Sequence, residues 1–290
     1  MRNQPSKKLT PLLLLFLFIS FSTIAQSPWT QKKGEFYTQF GFSTIPNYTG
    51  IFGEPDYNTE RKITDNTFQL YGEYGLSDKT TLLLNVPFKS ISSGDLSKPE
   101  ETEIILTEEK SVNTFGNIEI GAKHNFFNKK WLISGQLNIE LNTSSYDEAS
   151  GLRSGYDAFT FTPLVNVGRG FDKFYVQVFT GFALRTNDYS SNFKIGAEAG
   201  AKLLNRIWII GFLDIITSFE NGDFIAPIEN RLTGLYVNNQ EYSAYGLKAI
   251  GEITADFGVI AGFGGAFSGN NVAKQAAYNF GLYYKIRNKN

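Results

Sequence analysis

The stretch Glu35-Phe36-Tyr37-Thr38-Gln39-Phe40-Gly41-Phe42-Ser43-Thr44 decides the fold. Successive side chains of a β-strand point to opposite faces. In this stretch Phe36, Thr38, Phe40 and Phe42 share one face, and Tyr37, Gln39, Gly41 and Ser43 share the other. The first face is apolar and the second polar over about ten residues, the length a tilted strand needs to cross hydrocarbon. Phe193 to Leu203 repeats the device. Phe193, Ile195, Ala197, Ala199, Ala201 and Leu203 alternate with Lys194, Gly196, Glu198, Gly200 and Lys202. From Tyr278 to Ile286, apolar and aromatic residues alternate with Asn279, Gly281, Tyr283 and Lys285.

Extended along the chain, the alternation places strands near 34–45, 66–76, 80–90, 114–126, 131–142, 158–169, 174–185, 192–203, 207–218, 242–253, 258–268 and 276–286. The links from even to odd strands are tight turns, Ser77-Asp78-Lys79 and Leu204 to Arg206 among them. The links from odd to even strands (46–65, 91–113, 143–157, 186–191, 219–241 and 269–275) include long ones rich in Asp, Glu, Asn, Ser and Pro. Short turns on one side and long polar loops on the other predict an all-β, antiparallel, up-and-down transmembrane barrel of about twelve strands. An even strand number puts both termini on the periplasmic side. Closure removes the unpaired strand edges that hydrocarbon penalises.

The ends of the chain agree with this address. Arg2, Lys7 and Lys8 precede the apolar run Leu12 to Phe21 and the small-residue close Thr23-Ile24-Ala25. Residues 1–25 therefore read as a cleaved secretory signal, its apolar run too short for a spanning helix. Residues 26–290 then form a single barrel domain of net charge −4, in the outer membrane of a Gram-negative bacterium. Trp29, Trp131 and Trp208 precede or open strands at the short-turn end and are expected in an aromatic girdle at the headgroups. The last strand carries the pattern polar, any, Gly, any, any, apolar, any, apolar. Asn279, Gly281, Tyr284 and Ile286 fill it, an insertion signal for the barrel-insertion machinery.

Composition excludes much else. The 290 residues contain no cysteine and one histidine, so disulfides, thiolate metal sites and multi-imidazole zinc sites are out, and no cofactor is implied. A net charge of −1 gives no footprint for nucleic acid. A hydrolase triad would need His124, which lies on the apolar side of strand 114–126 near a turn, and no G-x-S-x-G or H-E-x-x-H motif occurs. The protein is read as not an enzyme. Glycine-rich Ala261 to Gly269 lacks dinucleotide spacing and reads as a crowded, curved strand.

Tyr74-Gly75-Leu76-Ser77-Asp78-Lys79, followed by Leu82, Leu84 and Pro87-Phe88, is one strand–turn–strand motif, and Gly116-Asn117-Ile118-Glu119-Ile120-Gly121-Ala122-Lys123 is a second. Together these stretches, within residues 70–127, resemble the outer-membrane family described as a MetA pathway of phenol degradation. The resemblance implies a barrel acting as a channel or transporter, in some members for aromatic compounds.

Function is then sought in the lumen. Glu73, Lys89, Glu119, Lys123, Glu140, Arg185, Lys194, Glu198, Lys202, Lys248 and Glu252 lie on the face opposite the apolar one. A Lys or Arg facing lipid at the midplane costs about 2–4 kcal/mol, so these groups belong inside. They either form a self-neutralising lattice that fills a narrow barrel or line a permeation path. Ile207 to Ile216 breaks the alternation. If Asp214 faces inward, so do Trp208, Ile210 and Phe212, beside Leu83, Leu164 and Phe179, as an apolar patch for a hydrophobic solute; a covered loop or a bulge is the alternative. The acidic run Glu100, Glu101, Glu103, Glu108 and Glu109 reads as a solvated face or a place where divalent cations bridge to lipopolysaccharide. The leading expectation is passive uptake of small solutes, hydrophobic or aromatic ones among them. A closed structural or surface-interaction barrel comes second, and an outer-membrane hydrolase third.

Overall fold

The computed structural model describes residues 27–94 and 107–288; the signal at 1–25 and Glu100, Glu101 and Glu103 lie outside them. In chain order the strands are β1 (Phe36–Phe52), β2 (Tyr57–Ser77), β3 (Thr80–Ser93), β4 (Lys110–Phe115), β5 (Glu119–Asn128), β6 (Leu132–Glu140), β7 (Tyr146–Asp147), β8 (Leu152–Arg153), β9 (Thr160–Gly170), β10 (Phe174–Arg185), β11 (Asn192–Leu203) and β12 (Ile207–Ser218). One helical turn, α1 (Ile228–Arg231), precedes β13 (Glu241–Glu252), β14 (Phe257–Asn270), β15 (Val272–Ala273) and β16 (Ala277–Ile286).

Successive wall strands pair antiparallel, and β16 returns to β1 from Phe36↔Ile286 to Thr44↔Tyr278, which closes the ring. β4 and β5 are two halves of one strand, β7 and β8 form a separate hairpin, and β15 is a two-residue strip paired to the far end of β1, so the barrel has twelve strands. Alternation explains the wall. Phe40, Leu70, Leu84, Ile120, Leu137, Val165, Val178, Ile195, Leu213, Leu247, Val259 and Leu282, one from each strand, are exposed on the outside. In water such a belt would be a vast apolar patch; around a closed barrel it is the lipid-facing surface. Within the three-residue β11–β12 turn, Leu204 to Arg206, both Leu204 and Asn205 adopt positive φ (49° and 60°).

Two departures from the sequence reading matter for function. Residues 46–65, expected as a loop, are mostly strand: β1 and β2 run on as a hairpin of 17 and 21 residues beyond the membrane-crossing length. Pro46, Gly50, Gly53 and Pro55 mask it in the sequence, and register shifts at Tyr48 absorb the irregularity. The inner face of this extension carries Tyr48, Ile51 and Ile63, which pack with Ile91, Leu152 and Leu235 into a small apolar core. Leu152 and Leu235 come from loops 141–159 and 219–240, so both loops fold over the extracellular mouth. The second departure is the break at 116–118. Pro87 of β3 has no N–H to give the ladder. Pairing steps from Phe88↔Phe115 to Asn85↔Glu119, with Gly116 N–H donating to the Pro87 carbonyl at 2.9 Å.

Candidate functional site

The barrel interior has two unlike halves. Between β2, β3, β5, β6 and β9 it is filled by polar side chains bonded to one another. Lys123, fully buried, lies 3.3 Å from Glu73 Oε1. Glu73 also accepts from the Tyr71 hydroxyl at 2.7 Å and from Gln31 Nε2 at 2.6 Å. Gln69 donates to Asn85, Gln136 to Asn138, and Asn166 to Gln136. Glu119 faces Glu140 across the β5–β6 ladder.

The other half, walled by β10 to β14, β16 and β1, lines a cavity of about 760 Å³. Trp208, Ile210, Phe212, Phe179 and Ile216 form its apolar wall, and Lys194, Asp214, Glu198, Lys248, Glu252 and Lys285 its charged groups. β12 runs without a bulge between β11 and β13 over this stretch, so Asp214 and the three apolar residues share the inner face. Leu83 and Leu164, expected beside them, are buried in the filled half. Space arises where an aromatic ring lies over a glycine of the next strand. A Cβ at Gly196 would come within 2.3 Å of Phe179, at Gly200 within 2.3 Å of Tyr175, and at Gly246 within 2.4 Å of Phe212. The rings lie back against the wall and leave the centre open.

Ion pairs cross the wall instead of running along it. Glu73 (β2) reaches Lys123 (β5) over β3, Glu198 (β11) reaches Lys248 (β13) over β12, and Lys202 (β11) reaches Glu252 (β13) at 2.7 Å, also over β12. The Trp208 indole N–H donates to Glu252 at 3.0 Å beneath the last pair. Of the eleven ionisable candidates, Lys194, Glu198, Lys248 and Glu252 line the cavity. Lys89 bonds Asp65 (2.8 Å) with the ring of Tyr236 at 5.4 Å, and Arg185 packs on the Tyr156 ring at 4.0 Å, so both serve the mouth.

Both ends of the cavity are covered. At the periplasmic end, residues 27–34 cross the lumen as a strap. Gln31 N–H donates to Thr81 Oγ1 at 2.8 Å, Asn125 Nδ2 donates to the Pro28 carbonyl at 3.3 Å, and Trp29 packs edge-on to Tyr175 at 5.7 Å. Trp29, expected in the lipid girdle, is therefore an inward plug residue, and Trp208 likewise lines the cavity. A tryptophan just before a strand at the short-turn end satisfies either role. Trp131 is the outward one, with the Arg169 guanidinium 5.6 Å from its ring.

At the extracellular end the two inward loops are bonded together. Asn230 Nδ2 donates to the carbonyls of Gly151 (3.1 Å) and Leu235 (2.9 Å), and Tyr48 OH donates to the Thr233 carbonyl at 2.8 Å. Tyr156 packs on Tyr189 and Tyr236 at ring distances of 5.2 and 5.3 Å. Burial pushes the Tyr156 and Tyr236 phenols above their ordinary value, which keeps them neutral hydrogen-bonding groups. A smaller cavity of about 170 Å³ lies under this plug, and Tyr242 lines both it and the central cavity.

Elsewhere, His124 faces outward, its Nδ1 2.9 Å from the Thr80 hydroxyl. Asn279 and Gly281 of the terminal pattern line the cavity, while Tyr284 and Ile286 face lipid. Among the described residues no three His, Asp or Glu side chains gather as a metal site. Sequence reasoning missed the strap and Tyr242, while Tyr37 and Tyr283, placed on the polar face by alternation, do line the cavity. The available signal was the register of aromatics opposite glycines.

By sequence the chain matches no family model and no curated protein. By structure it is similar to the COG4313 outer membrane channel from Pseudomonas putida F1, at TM-score 0.67 and 12% identity over 91% of this chain and 100% of that one. It is also similar to the KdgM porin (TM-score 0.53, 9% identity, 87% of this chain and 99% of that one). A third likeness is to the translocator domain of the autotransporter NalP from Neisseria meningitidis (TM-score 0.51, 10% identity, 88% and 89%). At these identities the likeness concerns the fold. With the closed ring and the lipid belt, it makes the chain a twelve-stranded barrel of the bacterial outer membrane.

Proposed function

We propose that this barrel is an outer-membrane channel for passive uptake of small solutes, in a closed state, with the central cavity as the station where solute rests. The carrying observation is the division of the lumen. One half is packed solid, while the other keeps a cavity of about 760 Å³, with Tyr242 in its lining and in that of the smaller extracellular cavity. A purely structural barrel needs no such asymmetry, since a lattice like that of Glu73, Lys123, Gln136 and Asn166 fills space equally well. The mixed lining of Trp208, Ile210 and Phe212 with paired charges suits solutes with an apolar body and a polar group. Aromatic compounds, implied by the family resemblance, fall in that range.

Single-channel recording in a planar bilayer tests the reading. Brief discrete openings from a low-conductance baseline are expected, because strap and loops must move first. A folded barrel that stays electrically silent, in which loosening the plug opens nothing, refutes it. The second reading, a closed surface-interaction barrel, is favoured by one observation: both ends are covered by bonded segments. It predicts that silence.

A further inference from the structure

Six ionisable side chains line the central cavity, and four have partners. Glu198 and Lys248 are joined to each other. Glu252 is held by Lys202 and the Trp208 indole, and Lys285 lies 5.1 Å from the ring of Tyr283. Lys194 and Asp214 remain. Among the described residues neither makes a hydrogen bond or an ion pair with another side chain or the backbone.

They are nevertheless close neighbours of opposite charge. Asp214 pairs with Gly196 across the β11–β12 ladder, and Lys194 is two residues from Gly196 on the same inner face. That diagonal relation separates Cα atoms by about 7–8 Å. A Cβ on Gly196 would lie 2.4 Å from Asp214 Oδ1 and 2.3 Å from Phe179 Cε1. The carboxylate therefore folds back over the bare glycine, beside the phenyl ring, and stays outside ion-pair reach of Lys194. Glu198 and Glu252 are each bonded to a lysine, whereas Asp214 is bonded to none, although the ammonium groups of Lys248 and Lys194 both attract it and Glu119 attracts Lys194 from the filled half.

From this split pair we infer that the cavity takes an α-amino acid with an aromatic or aliphatic side chain. Its carboxylate sits on the Lys194 ammonium, its ammonium on the Asp214 carboxylate, and its side chain against Phe179, Ile210 and Phe212. An α-amino acid places its charged N and O about 3 Å apart, so with a charge-assisted hydrogen bond of about 2.8 Å at each end it spans about 8 Å between ammonium and carboxylate, and the flexible four-carbon stem of Lys194 can move its ammonium to suit that span. A monoanion would satisfy Lys194 and strand Asp214, and a monocation the reverse, so the zwitterion alone closes both. Charge balance points the same way: the cavity is lined by three lysines and three carboxylates, and a neutral zwitterion leaves that balance unchanged. The inference deepens the channel reading and relies on it for the route by which the solute arrives.

The test is tryptophan emission of the refolded barrel in a neutral detergent. It carries Trp131→Phe, so that the signal comes from Trp29 and Trp208 on the cavity wall. The titrants are L-phenylalanine, 3-phenylpropionate and phenethylamine, which share the phenyl group and differ in charge. Phenylalanine is expected to saturate the signal. Each singly charged analogue should bind at least about tenfold more weakly, the ratio one charge-assisted hydrogen bond supplies. Lys194→Gln should abolish the advantage over phenethylamine, and Asp214→Asn the advantage over 3-phenylpropionate, with circular dichroism confirming both variants folded. Equal binding of either analogue, binding unchanged in both variants, or no saturable response from folded protein overturns the assignment. Conductance measured in parallel separates the two ideas. Channel steps without amino-acid binding remove this site and keep the channel, whereas binding by a silent barrel keeps the site and removes the channel.

Discussion

Replacing Asn230 with alanine should open the barrel without unfolding it. Asn230 is fully buried, and its one amide nitrogen serves the carbonyls of Gly151 in one inward loop and Leu235 in the other. Alanine leaves both acceptors without that donor, away from water. An unsatisfied buried acceptor costs about 1–3 kcal/mol, and two of them at the middle of the range cost about 4 kcal/mol. Part is recovered where the relaxed loops admit water, which leaves a net cost of about 3 kcal/mol. The wall is unaffected, since Asn230 touches no ladder hydrogen bond and the strands pair independently of it. The cost therefore falls on the plugged state relative to the unplugged one. At 1.4 kcal/mol per factor of ten, the opening equilibrium rises about a hundredfold. A channel open one part in a thousand would then be open about a tenth of the time. Open probability in planar bilayers reads this directly. Unchanged open probability, with a melting temperature lowered in step, would show that Asn230 supports the barrel and not a gate.

Further predictions test the filled half, the strap and the apolar wall. Lys123→Met strands Glu73 in the packed half and should cost about 3–5 kcal/mol in urea unfolding from lipid vesicles, with Glu73→Gln added to it recovering part; a single-variant loss under about 1 kcal/mol contradicts the buried pair. Gly75→Ala places a methyl 1.8 Å from the Lys32 carbonyl, so the strap must shift while β2 stays paired. Trypsin cleavage at Lys32 and Lys33 should quicken, and a rate equal to that of the parent protein counts against a seated strap. Phe212→Ala removes a ring from the cavity wall, and an apolar fluorescent probe should bind about ten- to a hundredfold more weakly, from about 1.5–3 kcal/mol per buried phenyl group. Undiminished probe binding would mean the cavity is not where apolar solutes rest.

How far the sequence could be read follows from where each constraint lives. The twelve wall strands were legible because lipid outside and a polar lumen inside impose one period on every crossing segment. β10, β11 and β12 lie at the expected residues, 174–185, 192–203 and 207–218. Facing was legible for the same reason. Partnership was not. Glu119 and Lys123 look paired in sequence, yet four residues along a strand separate them by about 13 Å, too far for an ion pair. Adjacent strands lie about 4.8 Å apart, so the inner concave surface brings every second strand within reach of long side chains. Hence Lys123 finds Glu73, 50 residues away. The strap at 27–34 has no period at all, and its partners Thr81, Asn125 and Tyr175 are scattered through the chain, so no local pattern could announce it.

The two motifs that carry the family resemblance acquire a shared physical meaning in this light. Each sits where a plug element is fastened to the wall. In Tyr74-Gly75-Leu76-Ser77-Asp78-Lys79, the Gly75 carbonyl accepts from Gly34 N–H at 2.7 Å, Asp78 Oδ1 accepts from Lys33 N–H at 3.1 Å, and the missing Cβ of Gly75 admits the Lys32 carbonyl. In the second motif Asn117, freed by the break opposite Pro87, turns its amide to the carbonyl of Tyr156 at 2.9 Å, and Gly116 O accepts from the Thr143 hydroxyl at 2.7 Å. The first motif seats the periplasmic strap and the second seats the loop that carries Leu152 and Tyr156. A barrel wall alone needs neither arrangement, because alternation and tight turns already build it. On the proposed channel reading, residues spent on fastening both ends of one lumen serve to hold it shut, so the two motifs bear on gating more directly than on any particular solute.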